Sequence, residues 1–307
     1  MPLHRLTALT MGVPNVDETI AYYTEFGLTP GADGWLSSTD GGQQLRVTGA
    51  PSRRLIEIGI GAEHPGDITE VVHRLRATGA PVQTDGTSVT TIEPVTGTRI
   101  VVTVAEPLLQ PHTPATPYNG PGRIERQNGR APGVLRDTAV RPRKLGHVVL
   151  GTTDFEASTT FFVDVIGFKV SDRIKDHGAF LRCSTDHHNL LVLNAPVAFL
   201  HHSSWQVDDI DEVGRGASAM LEGNPERHVW GLGRHHAGSN FFWYLKDPAG
   251  NFSEYYSDMD SIIDDQLWSP ETLAGARGLF NWGPPPPPSF LAPDDLAEIM
   301  TGAHQPG

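Results

Sequence analysis

Residues 231–256 read GLGRHHAGSNFFWYLKDPAGNFSEYY. Two adjacent histidines, His235 and His236, precede a run of aromatics containing Tyr244, a Pro-Gly turn signal and then Glu254. Two more histidine pairs lie upstream, His187–His188 in CSTDHHNLLVL and His201–His202 in LHHSSWQV, and His147 stands alone in KLGHVVLG. Imidazole titrates near neutrality and can act as acid, base or metal ligand. Two imidazoles and one carboxylate on one face form the donor set that non-haem Fe(II) uses, with coordination positions left open. Whether these residues meet depends on the elements that carry them.

Those elements occur twice. RLTALTMGVPNVDETIAYYTEFGL, from Arg5, aligns with KLGHVVLGTTDFEASTTFFVDVIGF, from Lys144. Leu6 matches Leu145, Gly12 matches Gly151, Asn15 matches Asp154, and Tyr22–Tyr23 match Phe161–Phe162. Each copy reads as a strand, a capping Asn or Asp, and a helix with an aromatic face ending at a glycine. Later segments repeat in the same order: RRLIEIGIGAEHPGDITEVVHRL resembles FLHHSSWQVDDIDEVGRGASAML, and IEPVTGTRIVVTVAE resembles LKDPAGNFSEYYSD. The second pair reads as a hairpin strand after a turn.

Differences between duplicate modules point to chemistry. Ala8 aligns with His147, Leu55 is the expected counterpart of His202, and Val101 aligns with Glu254. The first copy is thus expected to be apolar at all three places and the second to carry a metal triad. Alternation in HHSSWQV puts His202, Ser204 and Gln206 on a polar face and His201 on the opposite one. His202 is therefore the expected ligand and His201 its neighbour. Glu254 shares its face with Phe252 and Tyr256.

The chain has 307 residues, 38% of them hydrophobic, which suits two packed modules. The expected division is an N-terminal module without a metal site at 1–105, a Pro/Arg-rich linker at 106–143, a catalytic metal-binding module at 144–258 and a tail at 259–307. The linker arginines, among them Arg136 and Arg143, are expected to strap an acidic body. The tail contains GPPPPPSF and several aromatics. It is expected to fold back over the second module's mouth or into a subunit interface, because exposed aromatics are unfavourable. A net charge of −13 argues against nucleic acid and anionic membranes as partners. The single cysteine, Cys183, and the lack of long apolar runs predict a cytoplasmic protein.

A strand histidine, LHHSSW and DPAGNFSEYY together resemble the type I extradiol ring-cleaving dioxygenases of the vicinal oxygen chelate superfamily, such as the catechol 2,3-dioxygenases and 2,3-dihydroxybiphenyl 1,2-dioxygenases. The resemblance covers roughly residues 5–258 and is densest over 144–256. It implies an α+β fold of two tandem modules, each made of paired βαβββ units forming an open curved sheet. It implies His147, His202 and Glu254 as ligands of Fe(II), less often Mn(II). By the same resemblance His188 is the acid–base residue, expected to outweigh its neighbour His187, and His235 with Tyr244 binds substrate oxygens. His236 leaves open which histidine of its pair faces the site. The implied partners are a small aromatic diol and O₂, in a homo-oligomer. Two other classes fit the scaffold: a metal-dependent glyoxalase-like isomerase or epimerase, and a non-catalytic small-molecule-binding protein.

Overall fold

The structure, a computed structural model, describes residues 2–301. The last six residues of the expected tail, 302–307, lie outside the described residues. Two large sheets are built from four copies of one βαβββ unit. The first unit is β1 (Leu3–Val13), α1 (Val16–Glu25), β2 (Thr29–Pro30), β3 (Trp35–Ser38) and β4 (Gly42–Gly49). The second is β5 (Arg54–Ala62), α2 (Pro65–Thr78), β6 (Gln83–Thr84), β7 (Ser88–Ile92) and β8 (Arg99–Val104). A short helix, α3 (Pro132–Leu135), interrupts the connection. The third unit is β9 (Leu145–Thr152), α4 (Phe155–Thr160), β10 (Lys169–Ile174), β11 (Gly178–Arg182) and β12 (Leu190–Asn194). The fourth is β13 (Phe199–Gln206), α5 (Ile210–Leu221), β14 (His228–Arg234), β15 (Phe241–Lys246) and β16 (Phe252–Ser257). The strand orders are β2-β3-β4-β1-β5-β8-β7-β6 and β14-β15-β16-β13-β9-β12-β11-β10-β17, where β17 is Thr272–Leu273. This is the α+β architecture that the repeat and the resemblance imply.

Aromatic residues at the end of α1 and on β16 lock the halves together. Phe26, at the end of α1, stacks on Tyr255 of β16 with centroids 3.8 Å apart and planes at 2°. The Tyr255 hydroxyl donates to the Phe26 carbonyl at 2.7 Å. Arg74 of α2 donates to the carbonyls of Val165 and Ile166 below the second sheet. Asp154 caps α4 through the Ala157 N–H at 3.0 Å. Asn15 does not cap α1 in the same way. Its amide NH₂ instead reaches across the joint between halves to donate to the Pro248 carbonyl at 2.9 Å, while its Oδ1 accepts from the Thr19 hydroxyl at 3.3 Å.

The register corrects one equivalence. In the second sheet His202 lies opposite Val149, just after a bulge that follows Leu200–Leu150. The first sheet has the same bulge between Met11–Leu55 and Thr10–Glu57. Because both sheets carry this bulge at the same place, the two strands correspond residue by residue: Leu55 matches Leu200, and the spatial counterpart of His202 is Glu57 rather than Leu55. Ala8 and Val101 do sit at the places of His147 and Glu254. The first sheet is therefore not apolar at all three positions; Glu57 there is half-buried and paired with Arg99.

Linker and tail wrap the second half. Arg136 pairs with Asp209, and Arg143 with Asp208 and Asp40. Past Asp258, Trp268 donates from its indole to the Ser171 carbonyl at 2.9 Å, and β17 extends the sheet beside β10. Trp230 donates to the Pro284 carbonyl in the proline run at 2.7 Å. Helix α6 (Pro288–Leu291) inserts Phe290 among Trp230, Tyr244 and Phe252, and α7 (Leu296–Thr301) closes the described chain. Asp295, just before α7, pairs with the buried Arg53 of the first half. The tail thus folds over the mouth of the second sheet. Trp282 departs from the expectation of burial, being 43% exposed.

Candidate metal centre and active site

Three central strands carry the cluster. Residues 145–152 are buried along their whole length, His147 on β9 among them. On β13, Ser204 pairs with both His147 of β9 and Glu254 of β16, and His202 lies two residues back on the same face. One ligand atom from each of His147, His202 and Glu254 lies within 4.8 Å of the others. All three side chains are buried, at 2%, 4% and 0% exposure.

Their polar atoms are left without ordinary partners. Nε2 of His202 and Oε2 of Glu254 make no hydrogen bond despite complete burial. Nε2 of His147 is 3.0 Å from Oε2 of Glu254 and that of His202 is 3.6 Å from it. Buried polar atoms without partners are costly, and a carboxylate facing two imidazole nitrogens is the donor set of a divalent first-row metal. The residues present fit such an ion. Burial pushes the Glu254 carboxyl up, but the neighbouring imidazoles of His147, His235 and His202 outweigh it and hold it well below the usual carboxylate range. Burial, then His201, pushes His202 well down, which keeps it a neutral ligand.

The surrounding groups fix the orientation of the cluster. His201 donates from Nε2 to the Phe290 carbonyl at 2.7 Å, since a carbonyl only accepts. Its Nδ1 is then bare and accepts from Nδ1 of His202 at 2.7 Å, which leaves the Nε2 lone pair of His202 for the centre. Asn240, fully buried on the loop before β15, donates to Oε1 of Glu254 at 3.3 Å. Neither the Phe290 carbonyl nor Asn240 was among the sequence candidates; a main-chain acceptor has no residue type to betray it.

The other sequence candidates gather at the same place. Tyr244 on β15 is paired directly with Glu254, and its hydroxyl lies 2.9 Å from Nε2 of His235. Nδ1 of His235 donates to the Leu279 carbonyl at 2.5 Å. His236 points elsewhere, with Nε2 2.8 Å from Arg277, so it is His235 that faces the centre. Burial, then the Glu254 charge, raises the Tyr244 phenol well above its ordinary value. The His188 ring lies 4.2 Å from that of His147, and burial, then His147, drives its pKa well down. Phe242 stacks on His235 at 4.0 Å and Tyr256 lies beside His147. Phe241, Trp243 and Tyr255 pack on the main core, as alternation requires. Val149, Phe180, Leu191, Ala237 and Leu273 form a separate apolar cluster, and Phe180 touches His188.

Metapyrocatechase 2 of Cupriavidus necator is 38% identical over 180 residues, 56% of this chain and 55% of that protein. An iron-dependent extradiol dioxygenase of Rhodococcus jostii (strain RHA1) is 32% identical over 139 residues, 40% of this chain and 46% of that protein. The chain thus spans about half the length of these curated relatives. Among solved structures, the Mn(II)-bound glyoxalase from Novosphingobium aromaticivorans superposes with a TM-score of 0.71 at 26% identity, over 93% of this chain and 95% of that one. Homoprotocatechuate 2,3-dioxygenase from Arthrobacter globiformis shares the fold with a TM-score of 0.73 at 16% identity, over 94% and 91% of the two chains. Residues 144–255, which run from the start of β9 into β16, match the model of the Glyoxalase/Bleomycin resistance protein/Dioxygenase superfamily.

Proposed function

We propose that the protein is an Fe(II)-dependent extradiol dioxygenase that opens a catechol ring between a hydroxylated carbon and its unhydroxylated neighbour, with Mn(II) as the alternative metal. The observation that carries this reading is the convergence of a buried His-His-Glu donor set with His188, His235 and Tyr244 around one point. The names of the relatives support it: a metapyrocatechase and an iron-dependent extradiol dioxygenase. His147, His202 and Glu254 would hold the ion. The metal, when bound, supplies Lewis-acid and redox chemistry that brings the diol and O₂ together without an external reductant.

The chain's own residues do the rest. Tyr244 and His235, already hydrogen-bonded to one another, would bind the substrate oxygens and favour their deprotonated form. His188 would accept a proton at its free ring nitrogen and return it as the ring opens. The cluster of Val149, Phe180 and Leu191 would receive the apolar ring. Arg234, the cation nearest His235 in sequence, is paired with Asp258, which favours a catechol without a carboxylate substituent. We also propose a cytoplasmic homo-oligomer with no nucleic-acid partner; exposed Leu109, Leu135 and Leu267 are candidates for the contact. Among the described residues no helix is long and apolar enough to cross a membrane.

A second reading, a glyoxalase-like isomerase, is favoured by the Mn(II)-bound glyoxalase similarity alone. Against it, Ala8 and Val101 give the first sheet no counterpart of His147 or Glu254. The test is to load the protein with Fe(II) and mix it in air with catechol and alkyl-substituted catechols. A yellow ring-fission product is expected. Full metal occupancy with no colour on any catechol, together with isomerisation of a thiol–aldehyde adduct, would replace the first reading with the second.

A further inference from the structure

Nδ1 of His188 is 3.0 Å from Nδ1 of His187, and Nε2 of His187 is 3.0 Å from Oδ2 of Asp172. The other oxygen of Asp172 accepts the Glu271 N–H at 2.7 Å. His187 is fully buried and packs edge-on against Trp268. Two of these five residues, Glu271 and Trp268, come from the segment that wraps back after β16.

We propose that Asp172 and His187 are positioning residues that hold His188 as the tautomer with its proton on Nδ1 and its lone pair on Nε2. A carboxylate only accepts, so Nε2 of His187 carries the proton and donates to Asp172. In the neutral ring Nδ1 of His187 is then bare and takes a hydrogen bond from Nδ1–H of His188. Nε2 of His188 is left as a lone pair able to accept a proton from the substrate diol. The opposite tautomer presents an N–H there and cannot. The same Nδ1-to-Nδ1 arrangement recurs at His201–His202, again ending on an acceptor supplied after β16, the Phe290 carbonyl. The inference rests on the role of His188 proposed above, and it makes His187 a working part of the site, not the tolerant neighbour that the sequence suggests.

Asp172→Asn gives a directed test. The Glu271 N–H needs an oxygen, so the amide oxygen of Asn stays on it and the NH₂ group turns toward His187. That reverses the chain of donors and moves the His188 proton to Nε2 with little change of shape. The primary readout is long-range ¹H–¹⁵N correlation on ¹⁵N-histidine-labelled, metal-free protein, with the His188 signal assigned by its loss in His188→Asn. The expected result is an Nδ1-protonated His188 in the parent and an Nε2-protonated one in Asp172→Asn. A His188 already protonated on Nε2 in the parent, or unchanged in the variant, overturns the proposal. If Asp172→Asn does not fold, His187→Phe keeps the packing on Trp268 and removes the acceptor, and is read the same way. In the Fe(II)-loaded enzyme, Asp172→Asn should lower kcat about 10²–10⁴-fold, the range for a misdirected general base, with KM and bound iron unchanged. An unchanged kcat also overturns it. The NMR readout needs neither metal nor substrate, so a parent inactive on every catechol would sink the dioxygenase reading while leaving the tautomer result to stand or fall separately.

Discussion

At the scale of single residues, the account separates three kinds of histidine. On the proposed reading His147 and His202 are ligands, so His147→Ala, His202→Ala and Glu254→Ala should each abolish iron retention, measured by metal analysis after desalting. His201 only orients His202, and His201→Ala should weaken metal affinity about 10–100-fold without abolishing it. Iron lost from His201→Ala but kept by His202→Ala would reverse the assignment. His188→Asn should bind iron and substrate normally and turn over about 10²–10⁴-fold more slowly, as loss of a general acid–base group does. The gathering of His147, His202 and Glu254 was legible in the sequence because the three have distinctive types and strand alternation separates His202 from His201. What was not legible is how each ring is held. The acceptors are the carbonyls of Leu279 and Phe290 and the distant Asp172, and neither composition nor spacing connects them to the histidines.

At the scale of elements, adjacent strands β9, β13 and β16 set the geometry. The duplication could be seen as repeated apolar patterns and turns, but β5 and β13 share too few residue types to fix their alignment to the residue. The counterpart of His202 is therefore expected at Leu55 from sequence, and the register puts it at Glu57. The Tyr256 ring beside the cluster has its place because residue 146 is a glycine. A Cβ at Gly146 would lie 2.0 Å from the Tyr256 hydroxyl, on the strand that also carries Glu254. Gly146→Ala should therefore displace the Tyr256 ring from its place beside His147. The expected cost is about 1–3 kcal/mol in a denaturant melt, typical of overpacking, with weaker iron retention. A variant with wild-type stability and iron content would show that this contact yields easily.

At the scale of the whole molecule, the wrapping segment matters more than its composition suggested. Its aromatics signalled packing, and the packing proves to include main-chain acceptors for His201 and His235 and an edge strand beside β10. Truncation after Asp258 should lower both the melting temperature and the iron affinity, followed by calorimetry and metal titration. A truncated protein matching the full chain in both would show the segment to be dispensable. Beneath every one of these expectations lies the claim that the second sheet holds an ion that couples a catechol to O₂. The direct measurement is O₂ uptake by the Fe(II)-loaded full chain supplied with catechol and no reductant. The account predicts one O₂ consumed per catechol, with formation of the ring-opened product and none in Glu254→Ala. Full iron occupancy with no O₂ uptake on any catechol would contradict it.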